Sequence, residues 1–253
     1  MARFLTIITV TKDDLCGVAA TLESAKRLRA LPGVSHLIVD GSSASVRDAV
    51  QAKAARESVE YLWCEPEGIG SAFNRGIDNS DSDWIWFLNG RDEVHPDLDA
   101  ELFLRILEGT RAEAVIFELS LMQSGERHAH PPLSGVWPPL YWVPHPATLL
   151  RRSLFQRYGR FDQGYRIAMD GELWVRFFSK DLPVDLVSIP ICLFDQNGIS
   201  ATDRVTVERE ADRIILANFR LLLKLWLLKG RFLCTALRRR ATSLFFPCGG
   251  YRP

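Results

Sequence analysis

Several acidic groups in this sequence stand where carboxylates can do chemistry. Residues 84–88, Trp-Ile-Trp-Phe-Leu, form an apolar run of strand length that stops at Asn89-Gly90, a turn-forming dipeptide. The chain thereby delivers Asp92 and Glu93 into a loop at a strand's carboxyl end. In open α/β sheets such loops bind ligands, and a carboxylate there can hold a metal ion or a ribose. Asp40 ends a second segment of strand character, 34–39, and Asp13-Asp14 follow a β-branched and apolar one, 4–10. Asp170 and Glu172 stand in the acidic first turn of a helix, a favourable place for negative charge. Taken alone, each is also an ordinary turn or cap residue.

The elements that must position these groups follow from the hydrophobic pattern. Residues 4–10 are β-branched and apolar on both faces, as in a buried strand. Val18, Leu22, Ala25 and Leu28 recur at helical spacing until Pro32-Gly33. A strand over 34–39, a helix to about Arg56 and a strand over 59–63 follow. This β-α-β-α-β order has crossovers long enough for parallel strands and predicts a doubly wound sheet, with the acidic loops at one rim. Residues 65–76 begin as a glycine-rich loop and become a short helix. The spacing of Gly68, Gly70 and Gly76 is a poor match to a dinucleotide-binding fingerprint. A helix over 98–107, a strand over 114–121, a proline-rich irregular stretch over 123–144, a short strand after His145-Pro146 and one or two strands over 184–193 complete the order. An irregular stretch of that length inside a compact domain is usually functional. Its Trp137, Tyr141 and Trp142 suit either packing or a platform for sugar or lipid.

Charge is unevenly distributed. From Arg204 onward there are 11 Lys/Arg against 3 Asp/Glu, leaving 20 against 28 for the rest of a chain with totals of 31 each. Within that tail Arg213, Arg220, Lys224 and Arg231 are spaced by seven, four and seven, one stripe on a leucine-rich helix. Such a helix suits an anionic membrane surface, or a docked terminal helix with a basic outer face. No segment reaches the roughly 18 uninterrupted apolar residues of a spanning helix. The five cysteines are scattered without a Cys-x-x-Cys pair, which argues against a disulfide framework or zinc site and fits a reducing compartment. The expected location is cytoplasmic, peripheral on the inner face of the cell membrane.

The order of parts resembles the family 2 glycosyltransferases of the GT-A fold, most closely those that build bacterial exopolysaccharides, such as the colanic-acid type. The segments that carry the resemblance are 7–11, 38–43, 65–76, 87–92, 145–148, 161–162 and 167–170, within a span of roughly residues 4 to 200. The resemblance implies an α/β GT-A domain over 1–203, with a doubly wound, mostly parallel central sheet and a C-terminal helical extension over 204–253. It implies an inverting transfer from a nucleotide-sugar donor to a lipid-linked saccharide acceptor in bacterial surface polysaccharide or glycolipid synthesis, with Mg2+ or Mn2+ as cofactor. It also gives roles to residues. Asp170 is the general base, and Asp92 binds the metal. Thr9, Thr11, Asp40, Asn74 and Arg91 bind the donor. His145 lies near the acceptor or the diphosphate.

Departures from the family pattern temper this. Arg91 stands where an acid or glycine is common, leaving Asp92 as the sole acid there, with Arg91 itself a candidate for a phosphate. Ser71 and Glu67 replace aspartates, and Gly171 replaces an aromatic. These departures keep open a non-catalytic nucleotide-sugar-binding or assembly subunit; a nucleotidyltransferase is a more distant alternative. Partners expected are the donor, the lipid-linked acceptor and the inner-membrane surface through the basic helix. Nucleic acid is not expected, and a homodimer stays open.

Overall fold

The computed structural model describes residues 3–128, 143–180 and 182–218. The chain opens with β1 (Leu5–Thr11), the short helices α1 (Leu15–Ser24) and α2 (Lys26–Arg29), and β2 (Val34–Asp40). Then come α3 (Ala44–Arg56), β3 (Glu60–Trp63), α4 (Ile69–Asp78) and β4 (Trp84–Phe87). These four strands pair in parallel in the order β3-β2-β1-β4. The order reverses at β1, which sends its chain to β2 on one side and finds β4 on the other. The carboxyl ends of β1 and β4 therefore border a crevice, where doubly wound sheets bind ligands.

Beyond β4 the sheet becomes mixed. The chain continues through β5 (Glu93–Val94), α5 (Ala100–Gly109), β6 (Ala114–Leu121) and β7 (Arg127–His128). A single 3-10 turn (His145–Ala147) leads into β8 (Thr148–Arg151), α6 (Arg152–Tyr158), α7 (Met169–Phe178) and β9 (Val184–Phe194). Strand β8 is antiparallel to both β4 and β6, β9 runs parallel to β6, and β5 pairs antiparallel with β9. The β6–β9 register shifts around Glu118, an irregularity that sequence periodicity does not reveal.

Alternation along β1 divides the core. Ile8 faces a cluster with Phe73, Ile77 and Phe87, and Leu5 and Ile7 face one with Trp84, Trp86, Phe103 and Phe117. Helix α4 lies hard against β1, because a Cβ on Gly76 would sit 2.6 Å from Ile8 Cγ2. Only glycine permits that approach. The helix expected over residues 17–30 is instead two pieces. Asp14 caps the first by accepting Gly17 N–H, and the break falls at Ala25.

The final described elements are α8 (Ile199–Thr202) and α9 (Arg204–Ala217). Ile214 of α9 is buried in the same cluster as Leu173 and Trp174 of α7, so α9 is docked on the domain. Arg220, Lys224 and Arg231 of the basic stripe, and Trp137, Tyr141 and Trp142, lie outside the described residues. Among the described residues no helix is long and apolar enough to cross a membrane.

Candidate active site

A cleft of about 1090 Å3 opens at the carboxyl ends of β1 and β4 and is walled on its far side by the α7 and α9 region. Asp92 lies in its floor, 3% exposed. The turn that carries it is fixed at both faces: Asp92 N–H donates to Asn89 O, and the Thr21 hydroxyl donates to Asp92 O at 2.7 Å. Asp92 is not a helix cap, because Asp99 caps α5 by accepting Leu102 N–H. Burial pushes the Asp92 carboxyl up to about 7, and the nearby Asp195 carboxylate pushes the same way.

Asp195 is the site residue that sequence reasoning missed. The β5–β9 register, Glu93 opposite Leu193, brings the loop after β9 beside the loop after β4. Asp195 N–H donates to Asp92 Oδ1 at 3.0 Å, and Asp195 Oδ1 accepts from Gln123 Nε2 and from the main-chain and side-chain nitrogens of Asn197. A signal existed, since Asp195 follows an apolar strand as Asp40 and Asp92 do. What the sequence lacked was the pairing of β5 with β9, a contact across about a hundred residues.

The oxygen donors around Asp92 suit a hard divalent cation. Two carboxylates are adjacent, and the Asn89 Oδ1 and Thr11 Oγ1 atoms, both on residues lining the cleft, are buried without a hydrogen-bond partner. Among the described residues no three His, Cys, Asp or Glu side chains converge on one point. That set fits Mg2+ or Mn2+ held by one or two carboxylates and completed by substrate phosphates, and does not resemble an all-protein cage.

Arg91 also lines the cleft and is paired with Asp14. Its Nε donates to Asp14 Oδ2 at 2.5 Å, while Asp14 Oδ1 accepts from Gly17. Burial alone would raise the Asp14 carboxyl, but Arg91 and Gly17 N–H hold it below its usual range. Arg91 adopts φ +81°, a region that favours glycine, so the Asp14 pair holds a strained residue at the cleft edge.

Three expected donor contacts are placed elsewhere. Thr9 is fully buried; its hydroxyl donates to Leu88 O and meets His36 Nε2, so it ties β1 to its neighbours beneath the cleft. Asp40 is also fully buried, with Oδ1 accepting Ser42 N–H and Oδ2 accepting the Tyr61 hydroxyl. It shapes the turn behind the wall. Asn74 spends both ends of its amide on the Phe161 main chain, donating at 2.9 Å and accepting at 3.0 Å, and so joins α4 to the loop before α7. Ser71 donates to Glu67. Thr11 alone of the two threonines lines the cleft, because it lies at the strand's last position.

The opposite wall carries Asp170 and His145. Asp170 sits in the first turn of α7, with Oδ1 accepting Gly171 N–H at 2.7 Å. His145 stacks on Phe87 and is flanked by Phe73, and neither ring nitrogen has a hydrogen-bond partner or contact with solvent. Burial lowers the His145 pKa, with the Asp170 charge acting in the other direction. A neutral imidazole therefore borders the cleft near Asp170.

The sequence pattern described as "Glycosyl transferase family 2" matches residues 6–176. The chain belongs to glycosyl transferase family 2. This family 2 chain is 28% identical over 207 residues to an uncharacterized glycosyltransferase of Mycobacterium tuberculosis, covering 79% of this chain and 78% of the relative. An uncharacterized glycosyltransferase of Rickettsia prowazekii is 29% identical over 136 residues, 48% of this chain and 42% of that one. Solved structures share the fold at low identity. S. aureus TarS 1–349 gives a TM-score of 0.64 at 13% identity over 84% of this chain and 65% of that one. A longer TarS chain is covered to 36%. The mannosyltransferase PcManGT of Pyrobaculum calidifontis, solved with GDP-Man and Mn2+, gives 0.59 at 14% identity over 99% of this chain and 77% of that one. TarS 1–349 has also been solved with UDP. The family 2 transferase thus has the GT-A-type architecture expected from its sequence.

Proposed function

We propose that this transferase is inverting and metal-assisted, and that it moves a sugar from a nucleotide-sugar donor onto a lipid-linked saccharide in bacterial surface polysaccharide or glycolipid synthesis. One observation carries the reading: a single cleft is bordered by the Asp92–Asp195 oxygen set at the β4 rim and by Asp170 with His145 at the α7 wall. The donor's diphosphate belongs at the first, and the acceptor hydroxyl at the second. The acceptor oxygen bonds to the anomeric carbon as the bond to the diphosphate oxygen breaks, and Asp170 takes the hydroxyl proton. Asp92, Asp195 and Asn89 would hold a divalent cation, which when bound would supply positive charge to offset that of the departing diphosphate. Thr11 lies at the rim to contact the nucleoside, and Arg91 stays with Asp14 at the cleft edge.

An acceptor with an apolar part is supported by the wall opposite β1, where Leu121, Phe194, Ile199, Val207, Ala211 and Ile214 line the cleft. Peripheral membrane attachment rests on the basic stripe beyond Asn218, since Arg213 at its head donates to Gly164 O and stacks over Tyr165. The test is calorimetry with UDP and GDP, with and without Mn2+, on the parent, Asp92→Asn and Asp170→Asn, followed by turnover of the matching nucleotide-sugars. Metal-dependent binding lost in Asp92→Asn, with binding kept and turnover lost in Asp170→Asn, supports the assignment. Full turnover by Asp170→Asn would remove the base, and metal-independent binding would remove the cation site.

A further inference from the structure

Glu210 of α9 is a buried carboxylate, 8% exposed. Its partners are three consecutive main-chain N–H groups of the segment that leads into α7. Arg166 N–H donates to Oε1 at 2.6 Å, and Ile167 and Ala168 N–H donate to Oε2 at 2.9 and 2.8 Å. Successive amides turned onto one anion form a concave nest, which fixes the local backbone. Ala168, the residue before α7, supplies no side-chain cap, so the ordering of this entrance comes from α9. The next two residues are Met169 and Asp170.

The same helix holds the segment at two more points. Asp203, which caps α9, accepts from Arg166 Nη1 at 3.2 Å, and Arg213 donates to Gly164 O at 2.8 Å with its guanidinium 4.2 Å from the Tyr165 ring centroid. Arg166 and Asp170 both line the cleft. Residues of α9 thus grip 164–168 from one side while Asn74 grips Phe161 from the other.

We propose that Glu210 is a positioning residue for catalysis: by binding the 166–168 amides it sets where Asp170 and the Arg166 guanidinium stand in the cleft. The inference rests on Asp170 being the base. It treats α9 as part of the catalytic apparatus, beyond any part it has in the C-terminal extension. The donor side of the cleft is built on β1, β4 and α4, which Glu210 does not touch. Loss of the clamp therefore spares nucleotide binding and lowers turnover.

The experiment compares the full chain with Glu210→Gln and Arg213→Ala, with Glu208→Gln as a control on the same helix. Glutamine keeps the shape but replaces one acceptor oxygen by an NH2 that faces an N–H donor. Amide hydrogen exchange of the peptide spanning 163–172 is expected to rise about tenfold or more in Glu210→Gln, with strands β1 and β4 unchanged. Mn2+-dependent binding of UDP or GDP, whichever the parent binds, stays within about twofold. For whichever of UDP-glucose, UDP-GlcNAc and GDP-mannose the parent turns over, kcat falls about tenfold or more while donor KM holds, since small misplacements of a reacting group cost that much. Arg213→Ala, which leaves no buried charge group altered, gives the same pattern in milder form and keeps the test open if Glu210→Gln fails to fold. Unchanged exchange at 163–172 in both variants overturns the clamp. Raised exchange with unchanged kcat overturns its role in catalysis. Should Asp170→Asn keep full turnover, the base assignment fails separately, while the exchange result still decides whether Glu210 holds the loop.

Discussion

His36 offers a quantitative test of how β1 and β2 are joined beneath the cleft. Its ring is 3% exposed, Nε2 lies 2.8 Å from the Thr9 hydroxyl, and Nδ1 is buried without a partner. Thr9 donates its own proton to Leu88 O, so Nε2 must carry the hydrogen and the ring is neutral. Burial, with nearby Arg29 adding to it, lowers the pKa from 6.5 to about 3. A folded-state pKa below the unfolded one means the unfolded chain binds the extra proton first. Stability is therefore full above pH 6.5 and is lost as pH falls toward 3. At 1.36 kcal/mol per unit, the loss on going from about pH 7.5 to about pH 4.5 is ~2.7 kcal/mol. Asp92 acts in the opposite sense, because its folded pKa is raised from 3.8 to about 7 and stability is gained as pH falls through that window. The parent's own profile mixes the two. The informative quantity is the difference between His36→Gln and the parent, measured by urea unfolding in EDTA at both pH values. Glutamine can still donate to Thr9 but cannot titrate. The difference should move by roughly 2–3 kcal/mol in the variant's favour at the lower pH. A difference that stays constant to within about 0.5 kcal/mol would refute the buried, neutral histidine.

Three further perturbations separate packing from ligand contact. Gly76→Ala places a methyl 2.6 Å from Ile8 Cγ2 and should cost about 1–3 kcal/mol in denaturant unfolding; a neutral effect would mean α4 does not rest on β1 as described. Asn74→Ala removes both bonds to the Phe161 main chain, at a cost of about 2–3 kcal/mol, and should leave nucleotide affinity nearly unchanged in calorimetry. A large affinity loss at unchanged stability would return Asn74 to the donor site. Arg91→Gly relieves a φ of +81° while losing the exposed Asp14 pair, so thermal unfolding should shift little, with strain relief of about 1 kcal/mol offsetting a surface ion pair of similar size.

The parallel half of the fold was legible because its information is local. Each strand from β1 to β4 is short, mostly apolar or β-branched and followed by a turn signal, and the crossovers between them are of the length that forces parallel pairing. The acidic rim followed from the same pattern, and Asp92 is in the cleft as expected. Side-chain direction was not legible. Thr9 and Thr11 are two residues apart on one strand and look equivalent in sequence, yet one is fully buried against Leu88 and His36 while the other emerges where the strand ends. Asp40 likewise shares the strand-end signature of Asp92, but Tyr61 on the adjoining strand reaches its carboxylate and closes it off.

The mixed half was less legible because its contacts are non-local. Asp195 reaches Asp92 only because a two-residue strand, β5, finds the end of β9, and two residues cannot announce a strand by periodicity. The loop before α7 shows the same thing. Within it Asp162 fixes only a local turn, by accepting Gly164 N–H; Asn74 holds the loop from 87 residues upstream and Glu210 from 42 residues downstream of Ala168. A rim built from consecutive strand ends and a wall assembled by distant side chains respond differently to substitution. On the proposed function, changes at the β4 rim would act through the atoms that meet the nucleotide, whereas changes at the α7 wall would act through backbone placement. That asymmetry is why the clamp residues on α4 and α9 are expected to alter stability or turnover while leaving nucleotide affinity intact.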